Sequence, residues 1–208
     1  MSLFPEKPFT DFFKLEKCLC QYGKRFELDS RKMMSLCIDR NDGDVVVILS
    51  GTVLLYRGDD ILAGIEQAPY IWGLPDGVVK RSVEIKLMVR DYCSGYYLSS
   101  VQAISAIESR HCWRHAFSWL AWQSRVLELR NLHLIGHNAY SQSRAMLMSM
   151  AEWDEDLRSR TGVMNYIHQS TGISRSVIAE ILASLRKGGY IEMKSGKLVG
   201  IKQLPLKY

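Results

Sequence analysis

The C-terminal part of the chain carries apolar positions that repeat with the period of a helix. Four of them follow the spacing i, i+3, i+4 and i+7 and therefore share one helix face: Ile178, Ile181, Leu182 and Leu185. The pattern predicts one helix over residues 163–170 and a second over residues 174–185, with Gly172 at the turn between them. Ser174 is suited to cap the second helix, because its hydroxyl can accept a hydrogen bond from a free backbone N–H of the first turn.

Two short strand patterns follow these helices. They cover residues 190–193 and 198–201 and flank a Ser-Gly turn with a lysine on each side, Lys194 and Lys197, which predicts a β-hairpin. Two helices of this spacing followed by a hairpin are typical of a winged helix-turn-helix, whose second helix reads DNA. The buried positions that such a motif requires are Ile167, Ile173, Ile178 and Ile181. An ordinary helical hairpin beside a β-hairpin is the alternative interpretation.

Short apolar runs separated by turn residues occupy the first half of the chain. Residues 45–49 and 52–56, on either side of Ser50-Gly51, predict a hairpin. Further strands are predicted over residues 61–65, 83–89 and 93–98. Many short strands with regular turn signals indicate a small β-sandwich or β-roll. Ahead of them, four apolar residues predict a short helix that packs on this domain: Phe9, Phe12, Phe13 and Leu15.

A long helix is predicted over residues 113–135. Six of its residues alternate spacings of three and four, which is the pattern of a coiled-coil seam: Phe117, Leu120, Ser124, Leu127, Asn131 and Leu134. Asn131 is suited to set the register of a parallel dimer, while packing of this helix on its own β-domain is the alternative. Another helix is predicted over residues 140–157, after a hinge at residues 136–138.

These elements indicate an α+β protein with three segments. Residues 1–110 form the β-domain with its helical N-terminus, residues 111–136 the dimerisation helix, and residues 137–208 the DNA-binding domain. At 208 residues, with 47% apolar and 24% charged residues, the composition is that of a globular protein. No apolar run approaches the roughly 18 residues that span a bilayer, and charged residues interrupt any signal-peptide core. We therefore expect a cytoplasmic protein with no membrane partner.

Positive charge is concentrated at the C-terminal end. Residues 158–208 contain nine Lys or Arg and two Glu, a net charge of +7, whereas the whole chain carries +5. The rest of the chain therefore carries −2. A basic end joined to a near-neutral domain is what a DNA-binding protein needs, because phosphate contacts supply much of the affinity for DNA.

Residues for other chemistry are sparse. The five cysteines have no regular spacing, so we expect reduced thiols, with Cys18 and Cys20 beside Lys17 as the candidate redox pair and inert thiols as the alternative. His111 with His115, and His133 with His137, are spaced to share a helix face, but no third ligand accompanies either pair, so no metal site is predicted. No GxSxG, HExxH or Walker A pattern occurs, so we predict no catalytic residue and no enzyme.

Three segments resemble the Crp/Fnr family of bacterial transcription regulators. VVVILSGTVLLY is similar to the family's strand-turn-strand, APYIWGLPDG to its phosphate cassette, and TGISRSVIAEILASLRKGGYI to its recognition helix and the start of its wing. The resemblance covers roughly residues 40–201. It implies a cyclic-nucleotide-binding-like jelly roll, a dimerisation helix and a C-terminal winged helix-turn-helix. It also implies a homodimer that binds double-stranded DNA and works with RNA polymerase, under the control of a small-molecule or redox effector.

The chain departs from the family's ligand pattern. After Tyr70-Ile71 the family's nucleotide binders place a glutamate for the ribose, but here Trp72 and Gly73 follow. Arg81-Ser82 is similar to the family's phosphate-binding pair, although aligning the next strand on Cys93 puts Val83 there. We therefore expect no response to cyclic AMP. The clustered N-terminal cysteines of the iron–sulfur members are missing, so we expect no cofactor.

The resemblance also assigns the DNA contacts. The exposed positions of the recognition helix are Arg175, Ser176 and Glu180, preceded by Ser174, and Arg175 is suited to pair bidentately with guanine. Glu180 either accepts from cytosine N4 or repels phosphate at wrong sites. The cations that hold phosphates are Arg186, Lys187, Lys194 and Lys197.

A branch of orphan enterobacterial regulators is similar over EWDEDLRSRTGVMNYIHQ and SRSVIAEILASLRKGGYIEM, which implies a link to oxidative-stress resistance. Our hypothesis is therefore a sequence-specific DNA-binding regulator. The alternative is a ligand-binding or protein-interaction module that keeps the fold without specific DNA recognition.

Overall fold

The computed structural model describes residues 5–29, 43–58 and 61–206 of the chain. These residues belong to two compact units, Glu6–Ser124 and Arg125–Tyr208, and the boundary between the units falls inside one long helix.

The first unit is built on one antiparallel sheet. Its strands lie in the order β1-β5-β2-β3, and β4 pairs with the first half of β2. The strands are β1 Lys24–Asp29, β2 Asp44–Arg57, β3 Ile61–Gln67, β4 Tyr70–Trp72 and β5 Ile85–Ser99. The helices of this unit are α1 Phe9–Leu19, α2 Ser100–Ser109 and the first half of α3 Trp113–Leu134.

One buried cluster joins the sheet to the helices. The predicted N-terminal helix is confirmed as α1, which buries Phe12 and Leu15, whereas Phe9 and Phe13 are exposed. Trp119 of α3 is fully buried in the same cluster, and its indole N–H donates to the carbonyl of Ile71, with 3.1 Å between nitrogen and oxygen. The first half of α3 is thus held on the sheet by a large apolar side chain whose one polar atom is satisfied.

Strands β2 and β5 are each continuous, and our prediction of two strands from each was wrong. The Ser50-Gly51 pair is a bulge instead of a turn, because the register of β2 against β5 shifts on both sides of it. Gly51 has φ +91°, and a Cβ there would lie 1.9 Å from the carbonyl oxygen of Tyr92. The glycine therefore permits close approach of the β5 backbone. Residues 92–97 of β5 pair with β1, which carries that strand through the predicted break.

Replacing Gly51 with Ala is expected to lower the free energy of unfolding by about 2–5 kcal/mol. The left-handed backbone costs a side chain about 1–2 kcal/mol, and the overlap with Tyr92 adds about 1–3 kcal/mol. Gly58→Ala is the matched control, because Gly58 also has positive φ, at +62°, but open space where its Cβ would be. Urea unfolding of both variants measures the difference. Equal losses of stability would show that the close approach to β5 is unimportant.

The second unit contains the rest of α3, four helices and a hairpin. These elements are α4 Ala139–Ala151, α5 Glu155–Arg160, α6 Val163–Thr171, α7 Arg175–Lys187, β6 Ile191–Lys194 and β7 Lys197–Ile201. The single helix predicted over residues 140–157 was wrong, since α4 ends and α5 begins within that range. The cause is Asp154, whose carboxylate accepts from the N–H of Leu157 at 2.7 Å and caps α5. The break turns the ring of Trp153 edge-on to Tyr166, with 4.7 Å between ring centroids.

Candidate nucleic-acid interface

Several local hydrogen bonds hold the turn between α6 and α7. Gly172 takes φ +76°, and its N–H donates to the carbonyl of His168 at 2.8 Å. The Thr171 hydroxyl donates to the carbonyl of Ile167 at 2.6 Å. Nδ1 of His168 lies 2.8 Å from the carbonyl oxygen of Ile173, so this ring nitrogen carries the proton and donates. His168 therefore fixes the angle at which α7 leaves the turn.

Helix α7 presents one buried and one exposed face, as its periodicity predicts. Ser174 accepts from the N–H of Val177 at 3.5 Å and caps the helix. The apolar face is fully or almost fully buried: Ile178, Ile181, Leu182 and Leu185. Ile167 of α6 is buried beside it, while Ile173 is half-buried. The exposed row carries the residues that we predicted to read bases: Arg175, Ser176 and Glu180.

Two backbone hydrogen bonds end α7 and direct the chain into the hairpin. The N–H of Tyr190 donates to the carbonyl of Leu185 at 2.9 Å, and the N–H of Gly189 donates to the carbonyl of Arg186 at 3.0 Å. With Gly189 at φ +69°, these two bonds form a Schellman motif that closes the helix. Arg186 and Lys187 are both exposed in the last turn of α7, directly before the hairpin.

The tip of the hairpin is attached to the start of α6. Ser195 and Gly196 have φ of +49° and +77°, as a type I′ turn requires. The carbonyl of Gly196 accepts from the N–H of Val163 at 3.0 Å. The Lys197 ammonium donates to the carbonyl of Arg160 at 2.8 Å, whereas Lys194 is exposed. Lys197 thus uses one of its hydrogen-bond donors within the protein. Lys194 is the more accessible of the two lysines to an external ligand.

A basic groove lies between α5 and the hairpin. Its volume is about 280 Å³, and Arg158, Lys194 and Lys197 are among its lining residues. Within the described ranges, Arg175, Lys187 and Lys194 form no ion pair. Unpaired cations on an exposed surface attract phosphate without first giving up an internal partner.

The structure therefore brings the predicted DNA-contact residues onto one unit, with the exposed row Arg175, Ser176 and Glu180 on α7 and the cations around it. Two exposed residues of α7 were missed, Val177 and Ala183. A small apolar side chain on a recognition helix can contact the methyl group of thymine. The helical period could have identified Ala183, since it continues the row through Ser176 and Glu180.

The predicted dimer seam is only partly covered within the chain. Phe117 is 74% exposed and Leu127 is 58% exposed, while Leu120 and Leu134 are half-buried and Ser124 and Asn131 are exposed. Leu120 packs against the core of the first unit. Trp119 and Leu120 face their own sheet, as the alternative interpretation predicts, whereas Phe117 and Leu127 are uncovered within the chain, as a dimer seam would require.

The candidate redox residues differ sharply in exposure. Cys18 is buried, with 2% of its surface exposed, and its thiol donates to the carbonyl of Ala106 at 3.2 Å. Burial, and then the neighbouring Cys112, raise the pKa of the Cys18 thiol to about 12. Cys20 is exposed. Residue Cys37 lies outside the described residues.

The metal-ligating side chains in the part of the chain that the structure describes do not converge on one site. No group of three or more His, Cys, Asp or Glu there is placed to hold a metal ion. The histidine pairs do not share helices, because His111 precedes α3 with φ +56° and His137 follows it. Nδ1 of His115 instead lies 2.6 Å from the carboxylate of Asp11. None of the described helices combines the length and apolar character of a bilayer-crossing segment.

Comparison with known proteins supports the interpretation of the C-terminal unit. The family described as winged helix-turn-helix DNA binding matches residues 139–206. Over 202 residues the chain is 56% identical to the protein named inhibitor of hydrogen peroxide resistance from Escherichia coli K12, covering 97% of this chain and 98% of that protein. The protein of the same name from Salmonella typhimurium LT2 is 54% identical with the same coverage.

Solved structures show the same fold at low sequence identity. The c-di-GMP-responsive global regulator CLP of Xanthomonas campestris has a TM-score of 0.72 and 13% identity, covering 92% of this chain and 100% of that one. A cyclic-nucleotide-binding-domain protein from Listeria monocytogenes has a TM-score of 0.64 and 11% identity, covering 92% and 96%. A protein from Eubacterium rectale assigned to the Crp/Fnr family has a TM-score of 0.63 and 12% identity, covering 91% and 90%. The predicted fold class is confirmed.

Proposed function

Because the chain belongs to the family of inhibitors of hydrogen peroxide resistance and has the fold of Crp/Fnr regulators, we propose that it regulates transcription by binding specific DNA sequences, with genes for peroxide resistance among its targets. One observation carries the proposal. The exposed face of α7 carries Arg175, Ser176 and Glu180 after a capped N-terminus, with unpaired cations beside a basic hairpin.

Helix α7 enters the major groove in this proposal. Arg175 at its N-terminus pairs with guanine, and Ser176 and Glu180 contact the neighbouring bases. Arg186, Lys187 and Lys194 hold phosphates, with Lys197 anchoring the hairpin and adding a weaker phosphate contact. Since Glu180 forms no ion pair among the described residues, its carboxylate also disfavours sites that bring phosphate close to it.

Two copies bind together through the uncovered seam of α3. A homodimer presents two α7 helices to half-sites about one helical turn apart, so the operator has two-fold symmetry. The remaining partners are RNA polymerase and a small-molecule or redox effector, and the protein acts in the cytoplasm, where bacterial DNA lies. The protein has no enzymatic role in this proposal.

Selection of genomic DNA fragments by the purified, reduced protein at physiological salt tests the proposal. We expect recovery of one two-fold symmetric motif without added ligand. Recovery of unselected fragments only, at every salt concentration tried, would contradict sequence-specific regulation. It would favour a ligand-binding or protein-interaction module that has kept the fold.

The β-domain contains an arginine whose guanidinium already forms an ion pair within the protein. Arg81 pairs with the carboxylate of Asp76 through two nitrogens, and its guanidinium carbon lies 4.6 Å from the centre of the Trp72 ring. The Asp76 side chain is 8% exposed, which makes the ion pair largely shielded from water. A cyclic phosphate would have to displace this carboxylate, and buried phosphate without a fixed cation is poorly compensated.

Cyclic AMP is therefore expected not to bind. Isothermal titration of the intact protein should show no saturable heat up to roughly millimolar nucleotide, which corresponds to less than about 4 kcal/mol of binding free energy. Asp76→Asn provides the comparison, since it removes the competing charge and keeps the shape. Saturable binding to the unaltered protein at micromolar concentration would show that the Asp76–Arg81 pair is no barrier.

A further inference from the structure

Two cysteines that are far apart in the sequence meet at the end of α2. The Cys18 thiol donates to the carbonyl of Ala106 at 3.2 Å, and the Cys112 sulfur lies 3.5 Å from the carbonyl oxygen of Arg110. Both acceptors belong to the last turn of α2 and its C-cap. The Cys112 side chain is also near enough to raise the pKa of the Cys18 thiol. The fold thus places two sulfur atoms at the same helix end.

Arg110 holds the segments that carry these thiols. Its guanidinium donates to the carbonyl of Lys17 at 3.4 Å and to the side-chain oxygen of Gln21 at 2.7 Å, so the end of α1 is fastened to the end of α2. The N–H of Cys112 donates to the carbonyl of Ile107 at 2.8 Å, which fixes the turn before α3. Both cysteines are therefore positioned by backbone contacts on either side, all within the first unit.

The two thiols also differ in solvent exposure, as do a cysteine that reacts with an oxidant and the cysteine that resolves its sulfenic acid. Cys112 is half-buried and is the one that a small oxidant reaches from solvent, whereas Cys18 is buried. Cys20, the other candidate from the sequence, is exposed, with its sulfur 3.8 Å from the carbonyl of Lys17. Cys112 shares the end of α2 with Cys18, so the neighbour of Cys18 there differs from the one that spacing suggested.

We propose that Cys18 and Cys112 form an intramolecular disulfide when the reduced protein meets a peroxide. The Cys112 sulfur attacks the peroxide O–O bond, one oxygen is transferred to give a sulfenic acid, and the other leaves as water or an alcohol. The Cys18 thiol then attacks the sulfenic sulfur. A sulfur–sulfur bond forms, the S–O bond breaks, and the Cys18 proton leaves with the hydroxyl as water. Two thiols are oxidised by two electrons in total, and one peroxide is reduced.

Formation of this disulfide does not depend on DNA binding, but its position links it to the helix α3. Cys112 immediately precedes Trp113, the first residue of α3, and α3 carries the proposed dimer seam. A disulfide there fastens the start of α3 to α1 covalently. The burial that raises the pKa of Cys18 keeps this thiol protonated at neutral pH, so we expect resolution to be slow and the disulfide to form over minutes.

Peptide mapping of the full-length protein tests the proposal. The reduced protein is treated with a small molar excess of hydrogen peroxide, alkylated in denaturant, and digested with trypsin without reductant. We expect peptide 18–24 linked to peptide 111–114, with a mass about 2 Da below the sum of the two. Since Cys18 and Cys20 share the first peptide, the Cys20→Ser variant assigns the link. It should keep the link, and Cys112→Ser should lose it.

Cys93 is the internal control. It is as buried as Cys18, and burial alone raises the pKa of its thiol to about 12, so it should stay reduced and be alkylated after denaturation. Full alkylation of both Cys18 and Cys112 after peroxide treatment would overturn the proposal. A link from Cys20 to Cys112, or links only between molecules, would overturn it equally. All of these outcomes can be read on the unaltered protein together with Cys20→Ser, so they do not require the Cys112 variant to fold.

Discussion

Replacing Leu127 with Asp is expected to convert the protein from a dimer to a monomer and to raise the dimer dissociation constant by about 100-fold or more. Leu127 lies in the middle of the α3 seam and is 58% exposed in the isolated chain, so the fold of the monomer does not need it. Burial of a leucine in an interface contributes about 1.5–3 kcal/mol, and the loss occurs on both protomers. Two new carboxylates facing each other add a desolvation cost.

Leu132→Asp is the matched control for this experiment. Leu132 lies on the same helix and is 63% exposed, but it falls outside the seam. It receives the same charge without entering the proposed interface, and the variant should remain dimeric. Sedimentation equilibrium of both variants measures the difference, and thermal unfolding checks that each is folded. A dimeric Leu127→Asp protein would mean that α3 is covered in another way.

DNA binding should also reveal the loss of the dimer in the Leu127→Asp variant. A monomer keeps α7 and the hairpin but contacts one half-site, so its affinity for a two-fold symmetric operator should fall by about 100-fold or more. Its remaining affinity should show little preference between one half-site and two. This second readout separates loss of the dimer from damage to the DNA-binding unit, because a damaged unit would lose single half-site binding as well.

Replacing Arg175 with Ala is the second change with a large expected effect, and it acts on selectivity. Arg175 is the first residue of α7, exposed and without an ion pair among the described residues. A bidentate contact between arginine and guanine contributes about 1–3 kcal/mol of discrimination, so two half-sites lose about 2–6 kcal/mol. We expect operator affinity to fall towards that for random DNA, with the preference at one base pair in each half-site relaxed.

Lys187→Ala is the comparison that distinguishes base reading from charge. Lys187 is also an exposed, unpaired cation, but it lies at the other end of α7, where we assign it to phosphate. Its removal should weaken operator and random DNA alike and reduce the salt dependence by about one phosphate contact per protomer. Titrations against operator and scrambled DNA at several salt concentrations measure both quantities. Equal behaviour of the two variants would contradict the role given to Arg175, and indifference of both would favour an interaction module.

The winged helix was predictable because its determinants are local. The cap at Ser174, the left-handed Gly172 and the spacing of Ile178, Ile181 and Leu182 each act within a few residues. A cap, a glycine turn and a buried stripe have the same energetic preference in almost any surroundings. The same holds for the hairpin turn, where Ser195 and Gly196 take the type I′ angles that their position requires.

Two predictions failed, one because a distant backbone group overrode a local turn signal and one because a local cap was missed. Ser50-Gly51 has the composition of a turn, but the backbone of Tyr92 approaches it and makes it a bulge in one long strand. The 140–157 pattern is helical throughout, yet Asp154 caps a new helix inside it. In the first case a backbone group far away in the sequence decided the outcome. In the second case the choice between two local structures, a continued helix and a new capped helix, decided it.

The sequence by itself determined the classes of structure and the residues of the exposed face of α7, because helical period, caps and charge are properties of neighbouring positions. Only the tertiary structure decided which distant groups meet. It set the carboxylate of Asp76 against Arg81 beneath the Trp72 ring, and it brought Cys18 and Cys112 to the same end of α2. The physical reason is that such contacts depend on how whole elements pack, and spacing along the chain does not encode which helix end a thiol will reach.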